Sequence, residues 1–210
     1  MIFLALPHPS HAAAGGEKAG RITVARGKVF IKRPGAPGAT AAREKEDLMV
    51  GDLLTTGRHS TAQVEFTDTS FVNIAPESSI RVNQYSIAPD RARPEINRRK
   101  ATVRVISGKA RFVAYKELSW DSALTVETDT ASAIATDLVD YVVRAAPGET
   151  EVLTLAGAVT VSNASRLIVG EIFLGENQFT KVSEHSLPAK PAALTPQQRD
   201  AYIRDVRQIR

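Results

Sequence analysis

Cysteine is absent from this 210-residue chain, and aromatic residues make up only 6% of it. The lack of cysteine excludes a disulfide framework, a cysteine nucleophile and a thiolate metal site. It does not exclude that the protein resides in an oxidising compartment. Histidine is scarce as well, and no two of the four histidines have the spacing of metal ligands. We therefore expect no metal and no cofactor. The four histidines are His8, His11, His59 and His185.

Long hydrophobic runs are also missing. No stretch approaches the roughly 18 apolar residues of a membrane-spanning helix, so no stable membrane span is expected. The chain begins with apolar residues from Met1 to Leu6, and a run of small residues follows at 12–16. This order is typical of a secretory signal with its cleavage site, although no basic segment precedes it. We expect residues 1–16 to be a signal-peptide remnant or a disordered N-terminus of an exported protein.

Alternation of apolar and polar residues is the dominant pattern from Arg21 onward. Ala62, Val64 and Phe66, for example, share one face of a strand, with polar residues between them. Such alternation builds half-buried strands, and turn residues bound each run. Short, regularly interrupted strands predict an all-β fold, either β-solenoid-like or a jelly-roll or sandwich domain. Phe66, Phe71 and Phe112 are expected in its core.

Two short elements recur along the chain. Glycine precedes a strand at Gly27, Gly108 and Gly157, and Val50-Gly51-Asp52 is matched downstream by Val169-Gly170-Glu171. Stacked structural repeats would produce this recurrence. Hairpin turns that need glycine for a positive φ would produce it too. The sequence leaves both explanations open.

A helix is predicted only at the C-terminus. Thr195 and Gln198 form a capping box with proline at the first helical position, and Tyr202, Val206 and Ile209 follow at helical spacing. We expect a Pro-rich linker over residues 183–194 and a short α-helix over 195–210. The helix is expected to cover a sheet edge or the end of a solenoid.

The net charge of +4 is spread along the chain, which is weak evidence for nucleic-acid binding. The longest interruption of the β pattern, from Pro89 to Lys100, is rich in cations. Such a loop is commonly just solvated, but it could also dock an anionic partner. That partner could be a lipid head group, a polyanionic glycan or an acidic protein face. The cations of this candidate surface are Arg91, Arg93, Arg98, Arg99 and Lys100.

Catalytic patterns are hard to find. The chain has no Gly-x-Ser-x-Gly nucleophile elbow. One group of carboxylates could in principle serve glycoside hydrolysis or Ca²⁺ binding, but solvated strand ends explain it better. We expect a non-enzymatic protein with no catalytic residues. The carboxylates are Glu127, Asp129, Asp137 and Asp140.

A turn, an alternating strand and a tight hairpin follow one another from Val50 to Ser70, and later turns continue the pattern. In their order and spacing, residues 27–182 resemble the FecR domain, a bacterial periplasmic all-β module. The chain departs from the family at Thr69, where glycine is usual. A β-branched residue resists positive φ, so this turn should be a type I variant or mildly strained. The turn residues that carry the resemblance are Gly51, Asp52, Thr56, Gly57, Asp68, Ser70, Gly108 and Gly157.

The resemblance implies a FecR-like domain over residues 21–182 in a periplasmic or secreted bacterial protein. It implies protein–protein interaction, signalling or regulation at the cell envelope, with another envelope protein as the partner. Contact through a strand edge or through the basic loop fits this role. The alternative function is a carbohydrate or cell-wall binding module, which would cluster aromatic side chains on one exposed face.

Overall fold

The computed structural model describes residues 16–94, 96–115 and 122–207, which form two β-sheets around one hydrophobic core and a short C-terminal helix. The predicted all-β class is confirmed. In chain order, the first strands are β1 (Lys18–Arg26), β2 (Val29–Lys32), β3 (Thr40–Ala41), β4 (Asp47–Met49), β5 (Leu53–Thr56), β6 (Thr61–Phe66), β7 (Phe71–Ile74) and β8 (Ser79–Pro89). The others are β9 (Asn97–Ala114), β10 (Ala123–Glu127), β11 (Ala131–Ala135), β12 (Val139–Ala146), β13 (Glu149–Ala156), β14 (Val159–Asn163), β15 (Glu171–Leu174), β16 (Gln178–Ser183) and β17 (Ala192–Ala193).

Both sheets contain the long strand β9 at their centre. Sheet A has the order β4-β1-β6-β7-β9-β12-β13-β16-β17, and it uses the C-terminal half of β9. Sheet B has the order β3-β2-β5-β8-β9-β10-β11-β14-β15, and it uses the N-terminal half. Neighbouring strands in the described part of the chain are antiparallel except β9 and β10. The fold is therefore a sandwich whose sheets are joined through one strand.

Strand β9 passes from one sheet to the other at Gly108, which has φ +82°. A Cβ atom at this position would lie 2.6 Å from the Cα atom of Ser78. Only glycine therefore allows these two segments of the backbone to approach so closely. The next amide, that of Lys109, donates to Ser78 Oγ at 3.0 Å. A glycine in β9 and a serine in the neighbouring segment thus form the bend together.

Adjacent corners at this edge of the sandwich are held by hydroxyl groups. The amide of Lys28 donates to Ser60 Oγ at 2.8 Å, and Thr56 Oγ1 donates to the Ala75 carbonyl at 2.6 Å. The amide of Gly57 donates to the Lys28 carbonyl. At these corners the chain passes from one sheet to the other, and these bonds supply hydrogen-bond partners for its backbone groups. This accounts for Thr56 and Gly57 in the turn motif.

The Gly51-Asp52 turn leads the chain into β5. Gly51 has φ +92°, and the buried Asp52 carboxylate accepts a hydrogen bond from the Met49 amide at 2.7 Å. The same carboxylate is paired with Arg33. This part of the motif is a structural turn closed by its own aspartate.

The recurrence in the sequence corresponds to a structural repeat. Strands β1, β2, β5 and β6 run through sheets A, B, B and A, with β1 paired to β6 and β2 paired to β5. Strands β13, β14, β15 and β16 have the same sheet order and the same pairing. Gly27 and Gly157 occupy the equivalent corners, with φ of +77° and +75°. The structure thus favours repetition over independent glycine turns.

The core lies between the inner faces of the two sheets. Phe66 stacks on Tyr85 with ring centroids 4.5 Å apart, and Phe112 stacks on Tyr141 at 5.5 Å. Phe66 and Phe112 are buried as predicted. The expectation for Phe71 was wrong, because it is only half-buried and points away from the core, where it contacts an exposed tyrosine.

The C-terminal segment lies on the outer face of sheet A. Helix α1 (Pro196–Ile203) begins with the predicted Thr195–Gln198 capping box, and a 3₁₀ turn (Arg204–Val206) follows it. Tyr202 and Val206 pack over Val142 and Leu153 of the sheet, while Ile209 lies outside the described residues. The segment covers a sheet face instead of the predicted edge or end.

Candidate functional site

Strand β8 extends beyond the sandwich as one side of a ribbon. Its pairing with β5 ends at Arg81, and the loop at Gly51–Asp52 bonds Val82. From residue 83 to 89, β8 has β9 as its one strand neighbour among the described residues. We call residues 83–100 the arm.

The exposed edge of the arm can be assigned from backbone bonding. Both backbone groups of Val82 face β5, as the bonds from Gly51 and to Asp52 show. One extra residue is inserted in β8 between Val82 and Gln84, which reverses the alternation. The N–H and C=O groups of Tyr85 and Ile87 therefore point away from β9. Tyr85 is buried as a whole residue, so the open edge of the arm lies at Ile87, which is only partly buried.

Two bonds on the far side support this assignment. The amide of Arg99, which lies opposite Ile87, donates to Ser122 Oγ at 3.0 Å instead of bonding across to β8. The amide of Asp90 donates to the Ile96 carbonyl across the ribbon. Even-numbered residues of the arm thus bond within the ribbon, and the odd-numbered Tyr85 and Ile87 face away from it.

Most of the predicted cations lie on the accessible side of the arm. Arg91 and Arg93 are exposed in the loop at its tip, Lys100 is exposed on β9, and Arg98 is half-buried. The interpretation of Arg99 as a surface residue was wrong, because its side chain is only 1% exposed. Strand alternation directs Arg99 inward with Ala101 and away from Lys100.

Arg99 belongs to a buried polar cluster formed by Asp68, Ser70, Tyr85 and Arg99, which we call the Asp68 centre. Arg99 Nη1 donates to Asp68 Oδ2 at 2.8 Å, and the Tyr85 hydroxyl donates to Asp68 Oδ1 at 2.7 Å. The Ser70 amide donates to the same carboxylate at 3.0 Å. One carboxylate at the tip of the β6–β7 hairpin thus ties that hairpin to both strands of the arm.

The hydrogen bonds and charges of the Asp68 centre favour the ionised form of the Asp68 carboxyl. Burial alone raises the pKa of the Asp68 carboxyl, but hydrogen bonds from Ser70 and Tyr85 and the charge of Arg99 outweigh it, so this pKa lies below its ordinary value. Burial and the nearby Asp68 charge raise the pKa of the Tyr85 phenol. Asp68 is therefore an ionised, paired carboxylate and a poor proton donor near neutral pH.

Thr69 sits at the tip of the hairpin with φ +69°. The prediction of a strained turn at this position is confirmed, because positive φ is costly for a β-branched residue. Its neighbours Asp68 and Ser70 both turn inward and are buried. The Asp-x-Ser part of the turn motif hence contributes a buried ion-pair partner as well as a turn.

The candidate carboxylates do not converge. Asp140 accepts a two-point hydrogen bond from Arg111 at 2.8 and 2.6 Å, and the exposed Asp129 pairs with Arg104. Asp137 is exposed between β11 and β12. Across the described residues, no group of three or more histidine or acidic side chains could hold a metal ion. Asp129 and Asp137 are thus separate exposed acids, while Asp140 is buried in its pair with Arg111 and Glu127 is half-buried at the end of β10.

The histidines do not form a site in the described part of the chain. His59 is exposed at the corner between β5 and β6 with φ +56°, and His185 is exposed after β16. His8 and His11 lie outside the described residues. The helices of the described segments are too short and too polar to cross a bilayer.

The fold and the arm define a class of protein: a two-sheet β-sandwich that presents a cation-rich strand edge. The family model for FecR protein matches residues 52–160, just over half of the chain, and the chain belongs to this family. The match begins at Asp52 and covers the Asp68 hairpin, the arm and the Gly108 bend. The proposed family resemblance is thereby confirmed.

Two solved structures share the fold. They are crystal structures, at 1.65 and 2.50 Å resolution, of a candidate anti-sigma factor from Parabacteroides distasonis. They align with TM-scores of 0.54 and 0.55 at 16% identity and cover 72% of this chain. The chain spans 63–64% of those proteins, so the likeness extends to the fold alone. No curated protein matches the chain.

Proposed function

We propose that this chain is a non-enzymatic FecR-domain protein that contacts another protein in signalling or regulation at the bacterial cell envelope. Membership of the FecR family and the fold shared with a candidate anti-sigma factor support a regulatory role. The observation that carries the proposal is the arm, which combines an open strand edge with exposed cations. Open edges are common docking sites for partner strands.

The location and the domain limits are part of the proposal. We place the FecR-like domain at residues 21–182, the linker at 183–194 and the helical segment at 195–210. The apolar start and the small residues at 12–16 support export to the periplasm or beyond. Arg91, Arg93, Arg98 and Lys100 form the proposed surface for an anionic partner, without Arg99.

The distribution of aromatic side chains disfavours a carbohydrate-binding module. Phe30 on β2 and Phe173 on β15 are exposed, but their strands lie near opposite edges of sheet B. Tyr115 is exposed at the end of β9 and packs against Phe71. The described residues thus offer no single aromatic platform for a sugar ring.

Deletion of the gene in the encoding bacterium tests the regulatory role. The deletion should change a small, reproducible set of transcripts, and the wild-type gene should restore them. A variant with Glu127→Gln, Asp129→Asn and Asp137→Asn should restore them equally, since the proposal gives these carboxylates no catalytic role. An unchanged transcript profile after deletion, or failure of this variant at normal protein levels, would contradict the proposal.

A further inference from the structure

We infer that the open edge of the arm accepts an extended, acidic segment of a partner protein as an additional β-strand. This inference rests on the proposed function and specifies its docking site and the chemistry of the partner. It concerns residues 86–89 of β8 and the cations beside them.

The backbone of the arm supplies the hydrogen-bonding groups. Ile87 directs its N–H and C=O groups outward, and the described residues place no strand against them, whereas Tyr85 is buried and its backbone groups are covered. A single strand added to this edge would pair with both groups of Ile87, as strand-addition complexes do. Neither a helix nor a lipid head group presents backbone groups at that spacing.

The length of the edge is limited at both ends. The buried Tyr85 closes it on one side. Pro89 lacks an N–H, and the Asp90 carboxylate accepts from the Ala92 and Arg93 amides at 2.9 Å to form the tip. The open part therefore fits about four residues, or roughly 13 Å of extended chain.

The charge around the edge selects an acidic partner. Arg91, Arg93 and Lys100 are exposed there, while the carboxylate of Asp90 is occupied by the turn that it forms. Lys100 lies opposite Ser86 on the ribbon, one strand away from the incoming segment. Acidic side chains on the added strand would lie within reach of these long cations.

The side chains of the edge favour a peptide over nucleic acid. Gln84, Ser86 and Ala88 are short or flexible and only partly buried or exposed, so a neighbouring strand can approach closely. The exposed face of the arm has no aromatic ring on which a base could stack. A protein segment is the occupant that uses both the backbone groups and the charge.

Site-specific photocrosslinking in the encoding bacterium tests the inference. A benzophenone amino acid at Ala88 should give a discrete protein adduct, whereas the same amino acid at Glu65, which is exposed on sheet A, should not. Mass spectrometry should locate the attachment in a segment of net negative charge. Adducts to lipid, nucleic acid, a basic segment or residues 1–15 of this chain would overturn the inference, as would the absence of an adduct.

Two pairs of variants separate the backbone and charge contributions. Ile87→Pro removes one outward N–H and should lower the adduct yield at least tenfold, while Ile87→Ala, which keeps that N–H, should lower it less than twofold. Arg91→Glu with Lys100→Glu should lower the yield at least about fivefold. The control Lys28→Glu with Arg58→Glu changes two exposed cations at the corners between the two sheets, away from the arm. It should leave the yield unchanged.

The outcomes also separate this inference from the proposed function. If the arm variants fold and restore the transcripts of the deletion strain as well as wild type, the regulatory role stands and the docking site is wrong. Equal yields from Ile87→Pro and Ile87→Ala would also refute strand addition. If the deletion changes no transcript while the acidic adduct forms, the docking site stands and the regulatory role fails.

Discussion

Arg99 and Lys100 are neighbours in β9, yet their side chains lie on opposite faces of the arm. Arg99 is buried against Asp68 and holds the β6–β7 hairpin to the ribbon. Lys100 is exposed, next to the open edge of β8. One face of the arm is therefore tied to the domain by a buried ion pair, whereas the other face carries an exposed cation. Substitutions on the two faces should therefore have separable effects on stability and on binding.

The largest expected effect follows from removing the buried guanidinium. Arg99→Met leaves the Asp68 carboxylate buried without its ion-pair partner, which should lower the free energy of unfolding by about 3–5 kcal/mol. Urea denaturation measures this change, and Arg93→Met, at the exposed tip, serves as the control. Similar losses in the two variants would remove the distinction between the faces.

The acid dependence of stability should also depend on the inner face. Because the pKa of Asp68 is lower in the folded protein than its value of about 3.9 in an unfolded chain, its stabilisation is present above about pH 4. That stabilisation is lost as pH falls through the folded pKa. Asp68→Asn should be less stable at pH 7 but lose less further stability below pH 4. A parallel loss in wild type and variant, measured by thermal unfolding at several pH values, would contradict this account.

A smaller effect is expected where the hairpin aims Asp68 inward. Thr69→Gly should be neutral or should stabilise the domain by about 0.4–1 kcal/mol, because glycine adopts φ +69° without strain. Thr67→Gly is the matched control, since Thr67 has no positive φ to relieve. A loss above about 1 kcal/mol at Thr69 would show that its side chain contributes more than its backbone strain costs.

The smallest effect on stability is expected on the outer face. Arg91→Glu with Lys100→Glu should change the free energy of unfolding by less than about 0.5 kcal/mol, because neither side chain is buried. Urea denaturation of this variant beside Arg99→Met gives the contrast directly. A loss of several kcal/mol would place the outer cations in the fold instead of at a docking surface.

Alternation and turn chemistry were enough to predict the strands, the fold class and the capped helix. The spacing of Val103 and Val105 predicts which face of the strand is buried, and Thr195 predicts where the helix begins. The same alternation reaches back to Arg99, but a run of five cations between Pro89 and Lys100 was interpreted by composition as one loop. The two-residue period of the strand, extended back from Val103 through Ala101, would have predicted an inward arginine.

Other features depend on contacts between distant parts of the chain. Asp68 and Arg99 are brought together only when the β6–β7 hairpin meets the arm. The inserted residue between Val82 and Gln84 reverses which backbone groups are exposed, and it shows only in the pairing register. Sheet exchange at Gly108 likewise depends on the approach of Ser78. Sequence periodicity carries no information on such long-range pairings.

Residue-resolved amide hydrogen exchange of the free protein tests the open edge most directly. The amides of Ser86 and Ala88, which bond across to β9, should exchange slowly. The amide of Ile87, between them in the same strand, should exchange much faster because it faces solvent. Protection of Ile87 equal to that of its two neighbours would show that this edge is already covered, and it would contradict the central claim that the arm is available to a partner strand.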